Sequence, residues 1–557
     1  MWQCPVVISF QQKMDLTAQT KKIFSGDIKT DDQTLQSFSK DASLFKIKPQ
    51  VVVFPKTVED IKNLVKFVSS KHEHHLSLTA RSGGTDMTGG PLSQSIVVSM
   101  TKYFNHIKKI GRDFAVTEPG VYYRDFEKET LKHNLLLPSY PASREICTVG
   151  GMAANNSGGE LNLLYGKTER YIRELKMVCA DGKEYTFKNL TVKALASKMK
   201  LKGFEGEIYR GMFKLIDKNY DSIQSAKPKV TKNSAGYYLW NVYEKEKQTF
   251  DLTKMIVGSQ GTLGIITEIK FGLVKPKKRE HLLVILMNDL NILPDITNHL
   301  LKFKPQSIES YDDKTFKVAL KLLPDIVARL KGNVFKLFLS FIPELFMALR
   351  GGLPKLVLLA EFSADKDKDA VLAAKEAQAS LSGFKVSSKL ILSEADAQKY
   401  WVIRRESFNL LRHHVRGMRT APFIDDFVVD PKYLGEFLPR LYQILNRYNL
   451  LYTIAGHVGD GNFHIIPLMK LGTKNAADII KRLSDEVYDL VFEYHGSTSG
   501  EHNDGLIRGK YLEKMYGEKV YNLFLQTKNI FDPHNIFNPG KKVGVHMGYA
   551  LEHLDFK

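Results

Sequence analysis

Three glycine-rich clusters, met in order along one stretch of chain, constrain this sequence more than any other feature. The first, Arg81-Ser82-Gly83-Gly84-Thr85-Asp86-Met87-Thr88-Gly89-Gly90, follows the β-prone residues Leu76 to Thr79. Glycine lets backbone amides close around an anion, and Ser82, Thr85 and Thr88 add hydroxyl donors, which is what a pyrophosphate requires. The second joins Pro141-Ala142-Ser143 to Thr148-Val149-Gly150-Gly151-Met152-Ala153-Ala154-Asn155-Asn156-Ser157-Gly158-Gly159. The third, Gly258-Ser259-Gln260-Gly261-Thr262-Leu263-Gly264-Ile265-Ile266-Thr267-Glu268, is a tight turn into a strand. One such loop alone reads as an ordinary turn. Three in order, with no Gly-x-Gly-x-x-Gly and no P-loop element, point to an extended dinucleotide held by loops.

The chain around these loops is built to pack. Its 557 residues, 43% of them hydrophobic, suffice for two or three packed units. A net charge of +19 would suit nucleic acid, an anionic membrane surface or an acidic small molecule. No recognition motif with interleaved aromatics accompanies the charge, so nucleic-acid binding is not expected. Cys4, Cys147 and Cys179 form no Cys-x-x-Cys pair, which excludes a disulfide framework and a cysteine-ligated iron–sulfur cluster. Met1 to Phe10 has no basic leader and no small-residue cleavage site, and no apolar run is long enough to span a bilayer. A cytoplasmic location is expected, with peripheral contact at the membrane's cytoplasmic face as a further option.

Hydrophobic periodicity predicts a strand at Val51 to Phe54, then an amphipathic helix opened by Pro55 and Thr57 with Val58, Ile61, Leu64, Val65 and Val68 on one side. Short strands are predicted at Ile96 to Met100, Phe114 to Glu118, Leu175 to Ala180 and Ile265 to Phe271, and the Lys-rich segment Lys275 to Glu280 reads as a boundary. Beyond it the pattern predicts strands at Leu282 to Met287, Ile308 to Tyr311 and Leu356 to Phe362, with a helix over Ile292 to Phe303, forming a cap domain. Residues 314 to 354 mix large apolar side chains with Lys321, Arg329, Lys331, Lys336 and Arg350. They read first as a helical insertion that buries its own side chains, the alternative being a basic amphipathic patch on a membrane.

A second signature lies in the C-terminal half, Gly456-His457-Val458-Gly459-Asp460-Gly461-Asn462-Phe463-His464, followed by Gly500-Glu501-His502-Asn503-Asp504-Gly505. Two histidines separated by turn residues suit a strand entered through a turn, with both imidazoles reaching one point. Two imidazoles and a carboxylate leave open positions on a metal, where a substrate oxygen can be polarised.

Taken together, these motifs resemble the FAD-linked oxidoreductases of the vanillyl-alcohol-oxidase, or p-cresol methylhydroxylase, type, and within them the D-lactate, D-2-hydroxyglutarate and glycolate dehydrogenase group. The resemblance covers about residues 45 to 543. It implies an α+β fold: an N-terminal extension (1–44), a two-subdomain FAD-binding domain (45–275), a ferredoxin-like cap with a C-terminal helical segment (276–545) and a tail (546–557). It implies FAD contacts from Arg81, Ser82, Gly83, Gly84, Thr85, Asp86, Thr88, Gly89, Pro141, Ser143, Thr148, Gly150, Gly151, Ala154, Asn155 and Gly158. Ile265 and Ile266 would lie at the adenine end or the isoalloxazine neighbourhood, and Asn538, in Phe531-Asp532-Pro533-His534-Asn535-Ile536-Phe537-Asn538-Pro539-Gly540-Lys541, near the flavin. His457, His464 and Glu501 would bind a divalent Zn, Mn or Fe ion, His502 would take the substrate hydroxyl proton, and Arg404 would pair with the substrate carboxylate.

Two departures from the family pattern carry expectations. Thr85 stands where covalent relatives usually place histidine, and Cys147 lies one residue out of the register of a cysteinyl link, so FAD is expected to be non-covalent. Ile424 and Phe408 replace the lysine and threonine of the 2-hydroxyglutarate-specific members, which favours a monoacid such as D-lactate. The implied activity is oxidation of a small D-2-hydroxy acid to the 2-oxo acid, with hydride to flavin N5 and electrons passed to a separate quinone, cytochrome or flavoprotein. The alternatives are an enzyme like alkylglycerone-phosphate synthase, without net redox, and a non-catalytic flavin electron-transfer protein. His413 and His414, in the basic run Arg412 to Arg419, are read as a solvated face.

Overall fold

The structure is a computed structural model that describes residues 16–313, 315–317, 353–414, 418–473 and 475–555, without the side chains of Ala395 and residues 406–414. The basic stretch 314–354 lies almost wholly outside the described residues, as do the side chains of Phe408, His413 and His414.

Val51–Phe54 (β2) carries only β-branched and aromatic residues and is almost fully buried, the signature of a strand covered on both faces. It pairs in parallel with Ile96–Ser99 (β4), which pairs in parallel with Leu78–Arg81 (β3). Asp27–Lys29 (β1) closes the edge antiparallel to β2, so residues ahead of position 45 complete this sheet. The helix Val58–Ser69 buries Ile61, Leu64, Val65 and Val68, the face that its periodicity predicts, and begins at Thr57 with a capping box to Asp60.

A second, antiparallel sheet runs Ile107–Ile110 (β5), Phe114–Thr117 (β6), Ile265–Gly272 (β12), Ile172–Val178 (β7), Glu184–Lys188 (β8). A small sheet of Leu190–Thr191 (β9), Tyr243–Glu244 (β10) and Thr249–Phe250 (β11) accompanies it. Strand β12 returns from far along the chain to lie between β6 and β7, and this carries the third glycine cluster back to the first two. The C-terminal tail is also sewn in: Leu78 N–H donates to Ile536 O at 2.7 Å, and Asn538 N–H to Leu78 O at 2.9 Å.

The cap is an eight-stranded antiparallel sheet of Arg279–Met287 (β13), Ser307–Asp312 (β14), Leu356–Ala364 (β15), Ser387–Ile391 (β16), Arg419–Thr420 (β17), Phe427–Val428 (β18), Leu451–His457 (β19) and Asn462–Met469 (β20). One face packs Leu283, Ile285, Ile308 and Leu358 against the helices Leu293–Leu301 and Leu434–Asn446. The other packs Leu282, Val284, Tyr311 and Val357 with Tyr400, Trp401 and Ile403 of the helix Glu394–His414. Strand alternation therefore turns Ile308 to one core and Glu309 toward the Glu394–His414 helix. The predicted strands and helices appear within a few residues of their expected limits.

Asp60 has a second task besides capping. Its buried carboxylate accepts the N–H groups of Ser25 (2.6 Å), Lys56 (2.9 Å) and Thr57 (3.1 Å), tying the N-terminal segment to the helix. Burial would raise its pKa, but these donors hold it below the usual carboxylate value. A depressed folded pKa gives stability that is present above the unfolded value of about 4 and lost as pH falls through the folded one. Asp60→Asn should cost about 1–3 kcal/mol at pH 7 in urea unfolding, with the gap to wild type closing below about pH 4.

Candidate active site

The glycine clusters meet at the junction of the two sheets of the N-terminal half. A Cβ on Gly83 would come 2.7 Å from Ile146 O, and one on Gly150 2.5 Å from Pro119 O, so these segments approach through bare backbone. Asp86 shapes the first loop: Oδ1 accepts the N–H groups of Thr88 (2.7 Å) and Gly90 (3.0 Å) and the Thr88 hydroxyl (2.7 Å). Its Oδ2 receives Asn155 Nδ2 (3.1 Å) from the second cluster and Gln260 Nε2 (3.3 Å) from the third. Thr148 caps the helix Val149–Asn155 through Gly151 N–H, and the 141–147 turn is closed by Ile146 and Cys147 N–H on Ser143 O. The main chain of Gln260 donates to Ala154 O at 2.9 Å.

Several residues expected at the dinucleotide are spent on holding these loops. Arg81 donates to Phe38 O and Lys40 O at 3.1 and 2.7 Å, and a Cβ on Gly84 would strike its guanidinium. Asn538 donates to Gly90 O and Gln260 O and accepts from Thr79. Ile265 is buried in the core between the sheets, while Ile266 keeps some exposure. Ser82, Gly83, Thr85, Gly89 and Gly158 remain on the loop surfaces that face one another or lie just beneath them. The cradle of bare glycine backbone with hydroxyl and amide donors fits a dinucleotide. Cys147 is buried and its thiol is pushed up to about 12, which keeps it un-ionised and unreactive at neutral pH.

The second signature folds as a hairpin. β19 ends at His457, a single 3-10 turn follows, and β20 opens at Asn462; Gly461 turns the chain at φ 67°, where an added Cβ would strike Val429 O. Register sets His457 opposite Asn462 and Ala455 opposite His464, so the two histidines are diagonal neighbours on one face, ring centroids 5.2 Å apart. The same pairing logic brings β14 beside β19, with Ser310 opposite Gly456, and so presents Glu309 to His457.

Glu501 completes the arrangement. Its Oε1 lies 3.3 Å from His457 Nε2, 3.4 Å from His464 Nε2 and 3.7 Å from His502 Nε2. The outward nitrogens are occupied: His457 Nδ1 contacts Glu309 Oε1 at 2.5 Å, His464 Nδ1 contacts Asp425 Oδ1 at 2.9 Å and His502 Nδ1 contacts Asp425 Oδ2 at 2.6 Å. With Nδ1–H donating to a carboxylate, each ring turns its Nε2 to the Glu501 side. Asp426, His464, Glu501 and His502 also bring one ligand atom each within 4.8 Å of one another. Asp426 is nevertheless engaged elsewhere, accepting Glu501 N–H, His502 N–H and Ser499 Oγ, which makes His457 the better-oriented donor. The donor set of imidazole nitrogens around one carboxylate oxygen fits a divalent ion.

Opposing charges settle the ionisation here. Burial would raise Asp425, Asp426 and Glu501, yet their cationic neighbours hold all three below the usual carboxylate range. For His464, burial works against the charged form but Asp425 and Glu501 outweigh it and lift the imidazole to about 10, so an ion bound here would displace the Nε2 proton. Glu501 Oε2 lies 2.7 Å from Lys232 Nζ, an ion pair by distance whose angles fall short of a hydrogen bond. Lys232 has no exposed surface. Arg404 meets Glu309 Oε2 through Nε (3.1 Å) and Nη2 (3.0 Å), so it belongs to a chain Arg404, Glu309, His457.

The structure thus gathers His457, His464, Glu501, His502 and Arg404, all named from sequence. Sequence reasoning missed Glu309, Lys232 and the roles of Asp425 and Asp426. A carboxylate inside the predicted strand Ile308 to Tyr311 was a signal for Glu309; Lys232, in Thr231-Lys232-Asn233-Ser234, carried none.

Two domain families match the chain: the FAD binding domain over residues 49–188, and the C-terminal domain of FAD linked oxidases over residues 280–542. It is 25% identical to D-2-hydroxyglutarate dehydrogenase of Escherichia coli over 96% of this chain and 52% of that one. It is 26% identical to D-lactate dehydrogenase of Archaeoglobus fulgidus, over 88% and 91%. The chain spans about half the length of the first of these relatives. Its fold is similar to alkyldihydroxyacetonephosphate synthase (TM-score 0.66, 16% identity, covering 96% and 87%) and to p-cresol methylhydroxylase (0.65, 15%, 94% and 94%).

Removing one member of a buried ion pair leaves the other charge without compensation. Lys232→Met should lower the stability of chelator-treated protein by about 3–5 kcal/mol in urea unfolding, and a loss under about 1 kcal/mol would contradict the pairing.

Proposed function

We propose that this chain, which carries an FAD binding domain and the C-terminal domain of FAD linked oxidases, is an oxidoreductase of the vanillyl-alcohol-oxidase type that oxidises a small D-2-hydroxy acid to the 2-oxo acid with the assistance of a divalent metal. The observation that supports this most is the convergence of three imidazole Nε2 atoms on one buried Glu501 oxygen at 3.3–3.7 Å. FAD, when bound by the three glycine clusters, supplies the acceptor for a hydride, and a metal on His457, His464 and Glu501 supplies Lewis-acid polarisation of a substrate oxygen. His502 is the most exposed of the four residues, at 20%, and its Nε2 is the nitrogen placed to take the hydroxyl proton. Arg404 uses its Nε–Nη2 edge on Glu309, which leaves the outer edge of the guanidinium for the substrate carboxylate. The attachment of FAD is non-covalent in this reading, since Thr85 and un-ionised Cys147 offer no linkage.

The acid is the finer question. Ile424 is fully buried in the cap core and lines no part of the site, so it bears on specificity only by failing to supply a cation. Arg404 and Lys232 are already paired with Glu309 and Glu501. A distal carboxylate buried without a cation costs several kcal/mol, enough to lower efficiency about a hundredfold, so we place D-lactate or D-2-hydroxybutyrate ahead of a diacid. The names of several relatives favour the second reading, D-2-hydroxyglutarate. A separate electron acceptor, of the quinone, cytochrome or flavoprotein kind, completes the proposal. Among the described residues no helix is long and apolar enough to cross a membrane.

Anaerobic mixing of the purified flavoprotein with D- and L-2-hydroxy acids tests the activity: bleaching of the flavin by D-lactate faster than by D-2-hydroxyglutarate is expected, and the reverse order would favour the diacid. His502→Asn should keep FAD and lower the bleaching rate by about a hundredfold or more. Unchanged bleaching in that variant would support the electron-transfer reading instead. His457→Ala should retain FAD yet lose metal and activity together, whereas full activity in metal-free protein would end the metal reading. Acid precipitation should release intact FAD into the supernatant.

A further inference from the structure

Asp425 is fully buried, and its two oxygens go to different rings: Oδ1 to His464 Nδ1 at 2.9 Å and Oδ2 to His502 Nδ1 at 2.6 Å. The two rings lie one above the other, centroids 5.1 Å apart and planes at 29°. We propose that Asp425 is a positioning residue that fixes the tautomers of both imidazoles at once, so that one carboxylate sets the metal-facing nitrogen of His464 and the proton-accepting nitrogen of His502. The inference rests on the function proposed above and adds to it a residue that touches neither substrate nor ion.

The chemistry is restrictive. An ionised carboxylate only accepts, so both rings bring Nδ1–H to Asp425, and any lone pair that either ring offers must stand on Nε2. Those Nε2 atoms are the ones that stand 3.4 and 3.7 Å from Glu501 Oε1. The main chain of Asp425 is held by the buried Arg508 guanidinium, which grips its carbonyl oxygen at 2.7 and 3.2 Å and lies 3.8 Å from Oδ2. The neighbouring aspartate does a different job: Asp426 accepts the main-chain N–H groups of Glu501 and His502 at 2.8–3.1 Å and shapes the loop that carries them. One aspartate therefore aims side chains, the other builds backbone.

Asparagine has nearly the same shape but one acceptor and one donor. It can accept from one ring and must donate to the other, which pushes that second ring into the Nε2–H tautomer with no lone pair toward the site. In FAD-loaded Asp425→Asn, zinc affinity, read by competition with a chromophoric chelator, should fall about tenfold or more, or bleaching by the best acid at saturating zinc should fall about a hundredfold, with FAD content retained. Which of the two falls identifies the inverted ring. Asp425→Glu keeps two acceptors and should retain more of both properties than the Asn variant. Zinc affinity and bleaching both within about twofold of wild type in Asp425→Asn, or the Asn variant outperforming Glu, would overturn the inference. A wild type that takes up no zinc yet is bleached by acid would instead remove the metal reading, and the bleaching rate of Asp425→Asn would then decide the Asp425–His502 half by itself.

Discussion

Glu501 and Lys232 form an ion pair at 2.7 Å in which the lysine keeps no contact with water and the glutamate almost none, and the two residues come from opposite halves of the chain. Stripping two charges of solvent is costly, and only close mutual pairing with further polar contacts offsets it. The surroundings are arranged accordingly. Ser234 N–H donates to Ser499 O at 2.8 Å, Lys167 Nζ donates to Gly500 O and Asn233 O at 2.5 Å, and Ser497 Oγ donates to Asn233 Oδ1 at 2.5 Å. The 231–236 segment is thereby locked to the loop bearing Glu501 and His502. Misplacing that seam would strand several buried charges at once, which fixes the relation of the glycine-lined cradle to the histidine cluster far more tightly than apolar packing would.

The same economy governs the cradle. Side chains that sequence comparison would aim at a dinucleotide, Arg81, Asp86 and Asn538, mainly hold main chain to main chain. The surfaces left for a ligand are the glycine backbone and small hydroxyls, which suits an extended, highly charged molecule that must be bound along its length. The histidine cluster follows the complementary rule, with every inward nitrogen backed by an outward carboxylate: Glu309 for His457, Asp425 for His464 and His502. Such backing fixes ring orientation and raises donor strength.

How much of this was legible beforehand depends on the range of the interaction. Thr57 as a helix cap, the buried face of Val58–Ser69 and the strands β2, β4, β13 and β15 rest on patterns of a few residues and were readable. So were the glycine clusters and the pair His457 and His464, whose spacing is local to one hairpin. Asp425 and Asp426 stood in view as neighbours in sequence, but nothing local distinguishes an aspartate that aims two imidazoles from one that accepts main-chain N–H groups. That division arises because Asp426 turns the chain at φ 72°, sending the two carboxylates to different partners.

The sequence by itself determined the fold class, the three loops, and the identity of His457, His464, Glu501, His502 and Arg404 as a group. Only the tertiary structure decided that Glu309 stands behind His457, that Lys232 compensates Glu501, and that Ile424 belongs to the core. The reason is physical: hydrophobic periodicity and turn chemistry act over one or two turns of chain, whereas the pairing of buried charges is set by sheet register and by the docking of segments hundreds of residues apart, and a lone lysine or glutamate carries no mark of the partner it will meet.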